Sequence, residues 1–147
     1  MKLKDYIEAE LALGNNPEDL CRKFAARKTL SSEDFEYLSS LSYWEVKQAL
    51  SKNPKAPSHI IKQLHIWAKD NEIHQAKATC IQVALVRNPN TSIEIIKELT
   101  QSPRRVVRRR ALLNLWKRHL SSKDPLTNEG IKALISSLFK EINYYGI

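Results

Sequence analysis

The sequence predicts an all-α fold built as a solenoid of about four to five short helical repeats, and three observations carry that expectation. First, residues 49–64 recur as residues 84–99 with eight of sixteen positions identical, each copy reading helix, Asn-Pro break, helix. A unit that returns after 35 residues buries its apolar face only against its neighbours, which is how solenoids are built. Second, the glycines at positions 14, 130 and 146 are few, and no long stretch alternates strictly between apolar and polar residues, so material for hairpins is scarce. Third, 147 residues suffice to bury one core without a disulfide or a metal. The chain therefore reads as a single domain over 1–147, with clear repeats in 43–99 and degenerate or capping units in 1–42 and 103–147.

The elements follow in order. Asn16-Pro17-Glu18-Asp19 supplies a cap, a first-turn proline and two acids that match the positive end of a helix. The stretch 24–38 reads as a degenerate unit without its Asn-Pro, with Phe35 and Leu38 where the clear copy has Ile61 and Leu64. Ile60, Ile61 and Leu64 share one helical face, as Ile95, Ile96 and Leu99 do in the later copy. Thr91 followed by Glu94 predicts a capping box at the start of that copy's second helix. Ala111-Leu112-Leu113-Asn114 begins a further unit, and 127–135 predicts an amphipathic terminal helix. Trp44, Trp67 and Trp116 are expected as core or groove-wall residues, and Cys21 and Cys80 as buried free thiols.

The two breaks have a physical cause. Pro54 and Pro89 lack an amide hydrogen and push the preceding residue out of the helical region, so Asn53 and Asn88 end their helices. Each asparagine side chain is then expected to satisfy freed backbone groups within its own turn. These four residues are structural turn positions in this reading.

The segments 46–54 and 81–91, Val-Lys-Gln-Ala-Leu-Ser-Lys-Asn-Pro and Ile-Gln-Val-Ala-Leu-Val-Arg-Asn-Pro-Asn-Thr, resemble the variant leucine-rich repeat, a relative of HEAT and armadillo solenoids. Val107-Arg108-Arg109-Arg110-Ala111 is similar to the start of a third copy whose Asn-Pro is missing. The resemblance spans roughly residues 43 to 120 and implies paired helices stacked into a right-handed superhelix. A cluster of cysteines ahead of the repeats holds an iron-sulfur centre in one founding member. This chain has only Cys21 there, so no cofactor is carried over. The spacing of the copies exceeds the family's usual unit and places an insertion around 67–74.

Charge is concentrated in one segment. No acid lies between Glu98 and Asp124, whereas Arg104, Arg105, Arg108, Arg109, Arg110, Lys117, Arg118 and Lys123 fall there, and the rest of the chain carries equal numbers of basic and acidic groups. An arginine fork near a helix start suits phosphate or carboxylate. Arg104, Arg105, Arg108, Arg109, Arg110, Lys117 and Arg118 are therefore candidates for binding nucleic acid or another polyanion. The competing reading pairs them with Glu94 and Glu98 or leaves them as a solvated face, because on a helical wheel the arginines spread around the helix.

Chemistry is sparse. The sequence has no phosphate-cradling glycine loop, His-Glu-x-x-His, nucleophile elbow or Cys-x-x-Cys. His59, His65, His74 and His119 are scattered, and His65 and His74, near Asp70 and Glu72, read as surface side chains in preference to a metal site. No catalytic, cofactor or metal residue is assigned, and the expectation is a non-enzymatic protein-interaction scaffold presenting a helical-repeat groove. The alternative is binding of nucleic-acid phosphates through 104–118, and a remote one is a HEAT-like DNA glycosylase. The charged start Met1-Lys2-Leu3-Lys4-Asp5 lacks the apolar core of a leader. No window approaches the ~18 apolar residues of a membrane span, so a cytoplasmic location without a membrane partner is expected.

Overall fold

Proline, asparagine and serine set the helix boundaries. The computed structural model describes residues 2–70 and 75–121, together with Ser136 and Lys140, and the side chains of 119–121 are not among those described. Every element among the described residues is helical: α1 (Leu3–Ala12), α2 (Pro17–Ala25), α3 (Ser32–Ser40), α4 (Trp44–Lys52), α5 (Ser58–Asp70), α6 (Gln75–Arg87), α7 (Ile93–Leu99) and α8 (Arg105–Ser121). The Asn16 side chain accepts from the Glu18 N–H, with Pro17 in the first turn of α2. Ser31 and Asp34 form a reciprocal capping box on α3. α4 stops because Pro54 holds Asn53 in extended backbone, φ −74° and ψ 114°.

The box expected at Thr91 and Glu94 does not form. Ser92 caps α7 instead, accepting from the Ile95 N–H at 3.4 Å. Thr91 is buried with its hydroxyl donating to the Leu85 carbonyl at 2.6 Å. That bond satisfies a carbonyl at the end of α6, so the next hydroxyl in the chain is the one left to cap.

The chain divides into two compact units, Met1–Thr91 and Ser92–Ile147. In the first, α2 packs on α4 and α4 on α6, while α1 packs on α3 and α3 on α5; the pairs α1 with α2, α3 with α4, and α5 with α6 join the two rows. Val46, Leu50, Ile60, Ile61, Ile81 and Leu85 are fully buried, and Phe35 and Leu38 of α3 are buried as Ile61 and Leu64 of α5 are. Successive helix pairs in this unit differ in length. α5 and α6 have 13 residues each where α3 and α4 have 9, so the added length lies largely in helix. Of the predicted insertion, 67–70 belongs to α5, and 71–74 lies outside the described residues.

In the second unit α7 packs along α8, and Ile96, Leu99, Val107, Ala111, Leu112 and Leu115 are buried. The further unit expected from Ala111 does not break here, because without an Asn-Pro nothing stops α8 before Ser121. The terminal helix predicted over 127–135 lies outside the described residues. No described helix is long and apolar enough to cross a membrane.

Candidate polyanion interface

α8 carries the arginine segment, and its buried positions define which way each cation points. Val107, Ala111, Leu112 and Leu115 form one inward face. At about 100° per residue, the opposite side holds Val106, Arg109, Arg110, Leu113 and Lys117, with Arg105 at its edge. Val106 and Leu113 are 44% and 45% exposed, Arg105 and Lys117 are exposed, and Arg109 and Arg110 are partly exposed. The spread expected from the wheel is thus resolved into an outward stripe in which cations alternate with apolar side chains. Trp116 is only partly buried.

Arg104, Arg108 and Arg118 are placed differently. Arg108 turns back on the loop before its own helix, donating from its guanidinium to the Ser102 carbonyl at 3.0 Å and reaching the Pro103 carbonyl at 3.5 Å. This explains how an arginine is tolerated in the first turn, where the helix dipole is already positive: carbonyl oxygens supply the compensating negative ends. Arg104 precedes the helix, and its N–H donates to the Ser102 hydroxyl at 3.2 Å. Arg118 is partly buried, and loss of water lowers its pKa from the ordinary guanidinium value. Of the seven candidates, Arg105, Arg109, Arg110 and Lys117 share the outward side.

The turn residues form a ladder between successive turns within Met1–Thr91, which reaches further than the local role expected of them. Asn53 Nδ2 donates to the carbonyls of Ala25 and Arg27, both at 2.8 Å, while its Oδ1 accepts from the Lys55 N–H. Asn88 repeats the arrangement on the Ser51 and Asn53 carbonyls at 2.8 and 2.9 Å, with Oδ1 accepting from the Asn90 N–H. The Arg27 carbonyl thus accepts from Asn53 as the Asn53 carbonyl accepts from Asn88. Asn90 adds a parallel rung, donating to Pro54 and Ala56 carbonyls at 2.6 and 3.0 Å. Pro54 and Pro89 remain exposed at the turns.

Other features went unread in the sequence. Lys47 is 8% exposed, with Nζ donating to the Ser39 carbonyl at 3.0 Å and lying 5.6 Å from the Trp67 ring centre. Burial lowers its pKa. Lys77 makes the matching contact over Trp44 at 5.5 Å, so both tryptophans serve cations at helix interfaces. A cleft of about 340 Å³ is lined by Tyr6, Phe24, Leu30 and Asp34, with the Arg27 guanidinium 4.1 Å over Phe24. A smaller depression of about 220 Å³ between α2 and α4 is lined by Arg22, Glu45, Gln48 and Lys52.

Two expectations are corrected. Cys21 is buried, but Cys80 is exposed, because α6 turns Ala78, Ile81, Ala84 and Leu85 inward and leaves Cys80 outside. His65 is buried in α5, not a surface residue, while His74 lies outside the described residues. His59 pairs with Glu36, and no cluster of three metal-capable side chains exists among the described residues. No protein-family model, curated protein or solved structure matches the chain.

Proposed function

We propose that this chain is a non-enzymatic binding module, an α-solenoid akin to HEAT, armadillo and variant leucine-rich repeats, which engages an acidic protein through the outward side of α8. The observation that carries the reading is the mixed character of that side: Arg109 and Arg110 stand between Val106 and Leu113, each close to half exposed. A protein partner offers both carboxylates for the cations and apolar side chains for the valine and leucine. A phosphate backbone satisfies only the first. The asparagine ladder supports a scaffold role, since it fixes successive turns without placing reactive groups.

Binding of nucleic acid is the second reading, supported by the run without an acid from Glu98 to Asp124. Fluorescence anisotropy with labelled poly-L-glutamate and a labelled DNA duplex tests both at ~50 mM salt, where charge contacts are strong. Binding of poly-L-glutamate that weakens in Arg109→Gln/Arg110→Gln is expected. A duplex bound more tightly, with log affinity falling by about 0.9 per contact for each tenfold rise in salt, would favour the second reading. Binding of neither polymer rejects both.

A further inference from the structure

We propose that the segment received by α8 is itself an acidic amphipathic helix that lies along α8 and sets apolar side chains against Val106 and Leu113. The inference rests on the reading of the outward side of α8 as a protein-binding surface. It follows from spacing. Val106 and Leu113 are seven residues apart, so they stand ~10.5 Å apart along the helix on nearly the same side. An extended partner advances about 3.3 Å per residue and returns to one face every second residue, so its same-face side chains fall at ~6.6 or ~13 Å. Neither value matches. A helical partner repeats a side chain on one face at i and i+7, with the same ~10.5 Å separation as the two apolar positions on α8.

The cations complete the pattern. Arg109 and Arg110 fall between the two apolar positions, where a partner helix presents its i+3 and i+4 residues, and glutamates there meet guanidinium groups. Arg105 lies next to Val106, and Lys117 lies one turn beyond Leu113, so both ends of the contact are also basic. The partner is therefore a helix with apolar residues at i and i+7, acids at i+3 and i+4, and further acids just outside the apolar pair. Two apolar anchors make a small contact, which belongs to the weak, transient class of interfaces.

The test uses a fluorescein-labelled peptide with leucines at i and i+7 and glutamates at i+3, i+4 and i+11 in an alanine and glutamine background. A peptide of identical composition with the leucines on opposite helix faces is the control, alongside poly-L-glutamate and a DNA duplex. The patterned peptide should bind at ~50 mM salt at least about tenfold more tightly than the control, the difference of roughly 1.4 kcal/mol that a tenfold ratio represents. Val106→Ser/Leu113→Ser should remove that preference, bringing affinity for the patterned peptide down to that for the control. Equal affinity for the two peptides, with poly-L-glutamate bound, overturns the helical partner and leaves the acidic-protein reading standing. No binding of any acidic polymer overturns both, and tighter binding of the duplex replaces them with nucleic acid. Sedimentation showing that Val106 and Leu113 instead join two copies of the chain also overturns the proposal.

Discussion

The side chain of Asn88 donates to the backbone carbonyl of Asn53 at 2.9 Å, across 35 residues of chain. Asn53 in turn holds Ala25 and Arg27, so the placement of each turn is set by the asparagine that follows. Replacing Asn88 with alanine removes a donor from the Ser51 and Asn53 carbonyls, of which the second keeps the Ala56 N–H, and loss of such buried bonds costs about 1–3 kcal/mol. Asn53→Ala should cost a similar amount. The double variant should depart from the sum of the single ones by about 0.5 kcal/mol or more, as contacting sites do. Strict additivity in a urea-denaturation cycle would show that the rungs act separately.

Asn88→Asp is a sharper test of the donor role. A carboxylate at that position faces the Ser51 and Asn53 carbonyls with no hydrogen to give, so the charged form is disfavoured and the folded-state pKa rises. A raised folded pKa adds stability that is present at low pH and lost as pH rises through it. The variant should therefore melt closer to the native chain in acid than at neutral pH. A constant gap at all pH values would argue against the hydrogen bonds as drawn.

Lys47 has the opposite sign. Its pKa is lowered by burial, so as pH climbs toward the ordinary lysine range the native state releases a proton that the unfolded state still holds. Stability then rises with pH. The native chain should gain on Lys47→Met across the alkaline window, measured as the difference between their unfolding free energies. A flat difference would mean that Lys47 keeps its proton in the fold.

The two arginines at positions 108 and 109 should separate structure from binding. Arg108→Gln loses the guanidinium bond to the Ser102 carbonyl and should lower the melting temperature, by an amount consistent with the ~1.5–3 kcal/mol of a hydrogen bond to a charged group. Arg109→Gln should leave melting within the usual ±0.5 kcal/mol of a surface change and weaken poly-L-glutamate binding. The reverse assignment of effects would contradict the outward stripe.

Thiol titration checks the packing of α2 and α6. Cys80 should react with a disulfide reagent in the native protein, whereas Cys21, buried and with its pKa raised by loss of water, should react only after unfolding. Two fast equivalents would place Cys21 at the surface.

The positions of the helix stops were legible because proline acts on its immediate neighbour, and Asn53 and Asn88 end helices as the Asn-Pro rule requires. The direction of their Nδ2 groups was not legible, since their acceptors lie 26 to 37 residues away. Ile61 and Ile96 are both fully buried, as the matched copies predict, although Ala49 is partly exposed where Ala84 is buried. For the arginines, sequence supplied the charges but not the facing. Only the burial of Val107, Ala111, Leu112 and Leu115 shows that Arg108 and Arg118 start from the inward side. Lys47 was unreadable for a related reason: a lysine in an amphipathic helix signals solvent by default, and its acceptor is a carbonyl of the preceding helix.

The lengthening of α5 and α6 has a consequence for how such a chain can change. Four extra residues add ~6 Å and about 400° of rotation, so the apolar stripe returns almost to its starting direction and stays in line with the shorter helices. An addition confined to one helix would leave its new turn without a surface to cover. Growth of this architecture is thus constrained to matched steps on both arms of a hairpin, and its length can vary in quanta of one turn while the asparagine rungs keep their places.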